Sequence, residues 1–337
     1  MVQAQIRNMK TTYLLLILLF FGTLFPAQVA GQEHVTVTAK DGDGIYSLLR
    51  REGVEPTPSA VSEFKSTNAS ALKGRDVLLV GRKYRVPSLS KVYAIFGSAY
   101  EKVPVLTTRL DGHVYYVVAG HGGPDPGTIG EYKGEMLPED EIAYDTALRL
   151  ARNLIQESAT VYIIVRDEND GIRDTESFKH DVDEVYLGGT KIARSHSRRL
   201  RDRTKIINRL YDENKSWAKS QQVISLHVDA YGAKIEPQID VHFKTASKSG
   251  YALSKALRDT MAAKYAEFQP NRRYRGGIDN TANLWVLNNT KPVAVLVELG
   301  NIRHPGDQYR LVKPGNRQAI ADWLLDGLIH DAAGKKL

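Results

Sequence analysis

Cysteine is absent from all 337 residues. A disulfide framework is therefore excluded, and any metal site must be built from histidine and carboxylates. Long apolar runs are scarce as well, the single candidate being Tyr13–Phe21 near the start. Arg7 and Lys10 precede it, and Pro26 and Val29-Ala30-Gly31 follow. This is the order of a secretory signal peptide, residues 1–31, with cleavage expected after Gly31. No cysteine follows the run, so a lipid-modified N-terminus is not expected, and no second run of that length predicts a membrane span after cleavage. Location outside the cytoplasm is the expectation.

Neither sign of charge dominates strongly: 46 Lys and Arg stand against 39 Asp and Glu, a net +7. Such a surface suits an anionic partner, and outside the cytoplasm a wall polymer or membrane surface is a more natural one than nucleic acid. The sequence carries no internal repeat. It falls into two patterns, residues 32–90 and 113–333, joined by a connector at 91–112.

In the first pattern, Val35-Thr36-Val37-Thr38 alternates like a strand, and Asp41-Gly42-Asp43-Gly44 is a turn. Ile45–Leu49 opens a helix, Ser59–Lys65 forms a second, and Lys83–Pro87 closes as a strand. The turn followed by Ile45-Tyr46-Ser47-Leu48, and the ending Gly81-Arg82-Lys83-Tyr84-Arg85-Val86-Pro87, resemble a LysM module, which implies binding to wall glycan.

The second pattern alternates strands with helices. Strands are predicted at Val114–Ala119, Val161–Arg166, Val223–Val228, Ile239–Phe243, Leu284–Leu287 and Val293–Glu298, and helices at Pro138–Ile155, Gly250–Phe268 and Arg317–Ala332. This alternation predicts an α/β domain of three layers, a mixed sheet with helices on both faces. Residues 167–206 interrupt it with a polar stretch too long for an ordinary loop, which reads as a lid or a disordered insert.

Four positions in this domain carry unusual chemistry. His121 lies in Ala119-Gly120-His121-Gly122-Gly123-Pro124-Asp125-Pro126-Gly127, where flanking glycines let other groups approach the imidazole. His227 sits near the end of the apolar run Val223–Val228 and needs a polar partner or a metal once buried. Glu298 closes the run Val293–Val297, a costly place for a carboxylate without a partner or a task. The fourth is an acid from Glu135, Glu139, Asp140 or Glu141. Helical geometry aims Glu139 at the apolar stripe and Glu141 away from it, leaving Asp140 and Glu141 to complement the helix dipole. Sites in open α/β sheets assemble where strands end. Two His and one Glu are the ligand set of a catalytic zinc site, and the remaining Glu can take a proton from water.

Six segments resemble, in order, the zinc-dependent N-acetylmuramoyl-L-alanine amidases: Gly120–Gly123 with Asp125-Pro126-Gly127, Glu139 with Asp145–Leu150, Val165–Asp167, Ile224–His227, Asn283–Leu287 and Val297–Asn301. The resemblance implies zinc on His121, Glu139 and His227, Glu298 as general base, Asn283 and Arg166 as substrate contacts, and peptidoglycan as substrate. It leaves any activator protein open. Val228 departs from the alanine usual after the second histidine, and the 167–206 insert is additional. A zinc peptidase acting within the stem peptide, or a wall-binding protein without activity, are the rival readings. His242, alternating with Val241 and Phe243, belongs on a polar sheet face, whereas His34, His113, His180, His196, His304 and His330 read as surface residues.

Overall fold

The computed structural model describes residues 34–52, 54, 56–87, 91–230 and 238–334. The segment read as a signal peptide, residues 1–31, lies outside them. Among the described residues no helix is long and apolar enough to cross a membrane.

The N-terminal unit has the two expected strands and the two expected helices, with a short third helix before the closing strand. Strand β1 (His34–Thr38) is followed by helices α1 (Ile45–Arg51), α2 (Pro58–Thr67) and α3 (Ala69–Leu72), and then by strand β2 (Lys83–Pro87). β1 and β2 pair antiparallel, with Val37 opposite Tyr84. Thr57 caps α2 by accepting the Ala60 amide at 3.2 Å, and Pro58 opens its first turn, where a missing N–H costs nothing. Ile45, Leu48, Leu49, Phe64, Tyr84 and Val86 form a core of their own.

The larger unit is built on β3 (His113–Ala119), α4 (Glu139–Gln156), β4 (Thr160–Ile163), α5 (His196–Asn214), β5 (Ser220–Asp229), β6 (His242–Lys244), α6 (Lys248–Phe268), β7 (Ile278–Asp279), α7 (Trp285–Asn289), β8 (Val293–Asn301), α8 (Pro305–Val312) and α9 (Pro314–Ala332). The six strands form one sheet in the order β7-β6-β8-β5-β3-β4. Within it β8, β5, β3 and β4 run parallel, while β6 is antiparallel to β8, so the sheet is mixed.

Strand alternation sorts the interior into two faces. Tyr115, Val117, Ile224, Leu226, Val295 and Val297 pack with residues of α4, α6 and α9. Val114, Tyr116, Val118, Val223 and Leu296 pack instead with Ile207 and Leu210 of α5 and Val286 and Leu287 of α7. The three-layer α/β architecture expected from the sequence is the one observed. Residues 91–112 add Phe96, Val103 and Leu110 to the first of these cores.

Three expectations need correction. Leu284–Leu287 is no strand: Leu284 is extended, and Trp285–Asn289 is a helical turn burying Val286 and Leu287. A four-residue apolar run cannot by periodicity alone tell strand from helix. The strand expected from Ile239 begins only at His242, because Asp240 turns the chain with φ 53° and is buried against Arg272. The run Val161–Arg166 divides: Thr160–Ile163 joins the main sheet, and Val165–Arg166 joins a small sheet with Val185–Tyr186 and Thr190–Lys191. The interrupting segment is structured, contributing those two short strands and, from His196, a helix that forms part of one entire layer.

A buried ionic knot ties α4 to α9. Asp145, fully buried, accepts from Arg149 Nε at 2.8 Å and Arg317 Nε at 2.6 Å, and its other oxygen accepts the Arg173 amide at 2.7 Å. Asp145→Ala leaves the buried Arg317 guanidinium with carbonyl partners alone and Arg149 with the exposed Asp174 as its carboxylate, and breaking a buried pair in this way costs about 3–5 kcal/mol. Urea denaturation should show a loss of that size, and a change below about 1 kcal/mol would contradict the buried pairing.

Candidate metal centre

His121 leaves the end of β3 with φ 58°, a left-handed backbone that a non-glycine residue adopts at a cost. Two neighbouring glycines make room for what gathers there. A Cβ on Gly120 would stand 2.5 Å from the His227 ring, and one on Gly127 would stand 2.7 Å from both Glu139 Oε2 and the His121 ring. The expectation that glycine here serves close approach therefore holds in detail.

Glu139, the first residue of α4, points between the two imidazoles. Its Oε1 lies 3.1 Å from His121 Nε2 and 3.0 Å from His227 Nδ1, and accepts the Val228 amide at 3.1 Å. Oε2 accepts the Thr128 amide at 2.9 Å. One ligand atom from each of His121, Glu139 and His227 falls within 4.8 Å of the others. Burial works against the charge on Glu139, but hydrogen bonds from both imidazoles hold its carboxyl well below the usual range. For His121, burial is outweighed by Asp125 and Glu139, which push the imidazole up to about 9.

Asp125 was not singled out from the sequence, although it stands in the same glycine-rich segment. It accepts from His121 Nδ1 at 3.0 Å, which leaves Nε2 facing Glu139 and sets the ring's orientation. Asp125 in turn accepts from Arg199 Nη2 at 2.6 Å, and Arg203 Nη2 donates to the His121 carbonyl at 2.7 Å. Both arginines belong to α5, so part of the segment read as an insert holds the histidine loop in place. His121, Asp125, His196, Arg199, Arg203, His227, Leu284, Trp285 and their neighbours line a cavity of about 180 Å3.

Glu298 pairs across the parallel strands with His227. It is buried, with Oε1 2.8 Å from Lys244 Nζ and Oε2 without a hydrogen-bond partner. Burial raises its pKa, while His227 and Lys244 pull it down. Lys244 also reaches Asp229 Oδ2 at 2.8 Å. The alternation that set His242 on a polar face carries Lys244 to the same face, a signal that could have found it. His242 is half-buried there and accepts the Gly277 amide at 3.1 Å.

Asn283 is exposed, and its Oδ1 accepts from Asn288 Nδ2 at 2.9 Å. Arg166 lies in the small sheet opposite Val185. Neither lines the cavity. Asp140 and Glu141 do sit in the first turn of α4, yet both are buried, Glu141 against Arg173 at 2.7 Å. Of the histidines read as surface residues, His196 is exposed and also lines the cavity, whereas three others are half-buried and engaged: His113 Nδ1 meets Ser220 at 2.8 Å, His304 caps α8, and His180 Nδ1 lies 3.4 Å from Asp140. In each case the partner is remote in sequence or hidden by a turn, so local pattern gave no sign of it.

Residues 116–330 match the family model described as N-acetylmuramoyl-L-alanine amidase. A curated relative, the germination-specific N-acetylmuramoyl-L-alanine amidase of Bacillus subtilis (strain 168), is 23% identical over 227 residues, spanning 65% of this chain and 80% of its own. Among solved structures, the N-acetylmuramoyl-L-alanine amidase from Clostridium difficile 630 is 20% identical, covers 68% of this chain and 100% of that one, and has a TM-score of 0.48. The CwlD amidase from Clostridioides difficile in complex with the GerS lipoprotein is 18% identical, covers 66% and 98%, and also has a TM-score of 0.48.

Gly120→Ala tests the close approach. The added methyl must displace the His227 ring, an overpacking that costs about 1–3 kcal/mol. A thermal melt should register the loss, and divalent-ion uptake measured by isothermal titration should weaken with it. Unchanged uptake would show that His227 does not need its observed position.

Proposed function

The chain belongs to the N-acetylmuramoyl-L-alanine amidase family, and from that premise we propose that it cuts the amide joining N-acetylmuramic acid to L-alanine of peptidoglycan with one zinc ion on His121, Glu139 and His227. The observation that carries the metal assignment is the convergence of two imidazole nitrogens and a buried carboxylate oxygen within 4.8 Å of one another. This donor set is the one a catalytic zinc site uses, with a fourth position left for water. When bound, zinc would lower the pKa of that water toward about 7 and polarise the scissile carbonyl.

The protein's own groups supply the rest. Asp125 holds His121 in the tautomer that presents Nε2. Glu298 is the general base: its Oε2 carries no competing hydrogen bond and is free to take the proton from the attacking water. The same carboxyl then hands that proton to the departing amine of L-alanine. Lys244, 2.8 Å from Oε1, favours the ionised form of Glu298 against the burial that raises its pKa. Asn283 adjoins Leu284, which lines the cavity, and this supports its reading as a substrate contact; Arg166 has no such support. The N-terminal unit, whose helices between two paired strands and separate core support the reading as a LysM module, would hold glycan, and the protein would act outside the cytoplasm on the wall.

Glu298→Gln should leave bound zinc unchanged by elemental analysis and lower cleavage of purified peptidoglycan by about 10²–10⁴-fold. The wild-type products should be stem peptides with a free L-alanine amine. Full activity in the variant, or new amines only within the stem, would overturn the assignment.

Lys244→Met removes the cation that pulls the Glu298 pKa down, so that pKa must rise further. A base has to be deprotonated to act, and the acid limb of the pH–rate profile should therefore move to higher pH by about 1–3 units. A limb that stays in place would separate Lys244 from Glu298.

A further inference from the structure

Around the residues that follow Glu139, four atoms able to grip a cation have no hydrogen-bond partner: Asp140 Oδ2, Glu141 Oε1, His180 Nδ1 and Asp181 Oδ1. Asp140 and Glu141 are each only 2% exposed. Asp140 Oδ2 stands 3.4 Å from His180 Nδ1 without forming a hydrogen bond to it. Asp140, Glu141 and His180 each offer a ligand atom within 4.8 Å of the others, and Glu141, Asp181 and Glu184 form a second such group that shares Glu141.

Adjacent buried carboxylates with idle lone pairs are costly unless a positive charge answers them. Arg173 answers only in part: it meets Glu141 through Oε2 at 2.7 Å and is shared with Asp170 at 2.6 Å. Glu141 Oε1, both groups on the His180 side, and Asp181 Oδ1 remain. Glu184 is buried too, and burial, with Glu141 and Asp181 nearby, pushes it up to about 7.

We propose that Asp140, Glu141 and His180 hold a second divalent cation, with Asp181 and Glu184 completing its surroundings. Carboxylate oxygens favour Mg2+, Ca2+ and Mn2+, while an imidazole nitrogen favours transition ions, so the mixed set points to an ion of the Mn2+ kind. Bound there, the ion pins residues 180–184 to the first turn of α4. Glu184 Oε2 also accepts the Gly123 amide at 2.7 Å, so the same ion braces the loop that carries His121. This site shares no ligand with the zinc assignment and stands or falls separately from it.

The experiment uses the full chain carrying His121→Ala and His227→Ala, which removes two ligands of the first centre. Equilibrium dialysis against Mn2+, with electron paramagnetic resonance as readout, should still find one ion per chain, and the thermal midpoint should rise with Mn2+. Adding Asp140→Asn and His180→Ala should weaken Mn2+ binding by roughly tenfold or more and abolish the thermal response. If the combined variant does not fold, His180→Ala alone decides, through loss of the nitrogen hyperfine coupling to bound Mn2+. The proposal is overturned if the His121/His227 variant takes up no Mn2+ at millimolar concentration. It is equally overturned if its ion survives the further changes with affinity and coupling intact.

Discussion

One carboxylate oxygen organises the catalytic unit. Glu139 Oε1 lies between His121 Nε2 and His227 Nδ1 and also receives the Val228 amide, so a loop, a helix start and a strand meet at one atom. That meeting is possible only because Gly120 and Gly127 bring no side chains to it. Charge is concentrated in a largely buried spot, and the surrounding structure holds it there through hydrogen bonds instead of solvent. A small displacement of any of the three elements would separate His121, Glu139 and His227.

The layer beneath this point does more than cover the sheet. Helix α5 packs Ile207 and Leu210 onto one face while turning Arg199 and Arg203 toward the histidine loop. The segment at 167–184 meanwhile encloses the start of α4, where Arg173 reaches Glu141 and the Arg173 carbonyl accepts from Arg317 Nη2 at 2.9 Å. What looks in sequence like an interruption is thus a clamp on both sides of the centre. The enclosure explains why Asp140 and Glu141 are buried although a helix start alone would leave them to solvent.

On the other side, Lys244 connects the antiparallel strand β6 to two acids on parallel neighbours, Asp229 and Glu298. A half-buried lysine between two carboxylates is stable where an isolated one is less so, and its own pKa is driven up although desolvation opposes it. The proposed base thus has one oxygen committed and the other free. This division of labour within a single carboxyl depends on the antiparallel strand β6 beside β8, which a wholly parallel sheet would not offer in that register.

The sequence by itself determined most strands of the main sheet and the helices α4, α6 and α9, and it singled out His121, Glu139, His227 and Glu298 as candidates for chemistry. Short apolar runs mark most strands of the sheet, helical stripes mark α4, α6 and α9, and a carboxylate such as Glu298 closing an apolar run reveals itself by its cost. These signals are local, repeating within a few residues along the chain. Tertiary structure alone decided the partners: Arg199 with Asp125, Lys244 with Glu298, His180 beside Asp140, and a helical turn where Leu284–Leu287 read as a strand. Those pairings join residues separated by 74, 54 and 40 positions, and nothing in a local pattern specifies which distant side chain arrives. The register of packed strands and the way one layer closes on another settle that, and they exist only once the chain has folded.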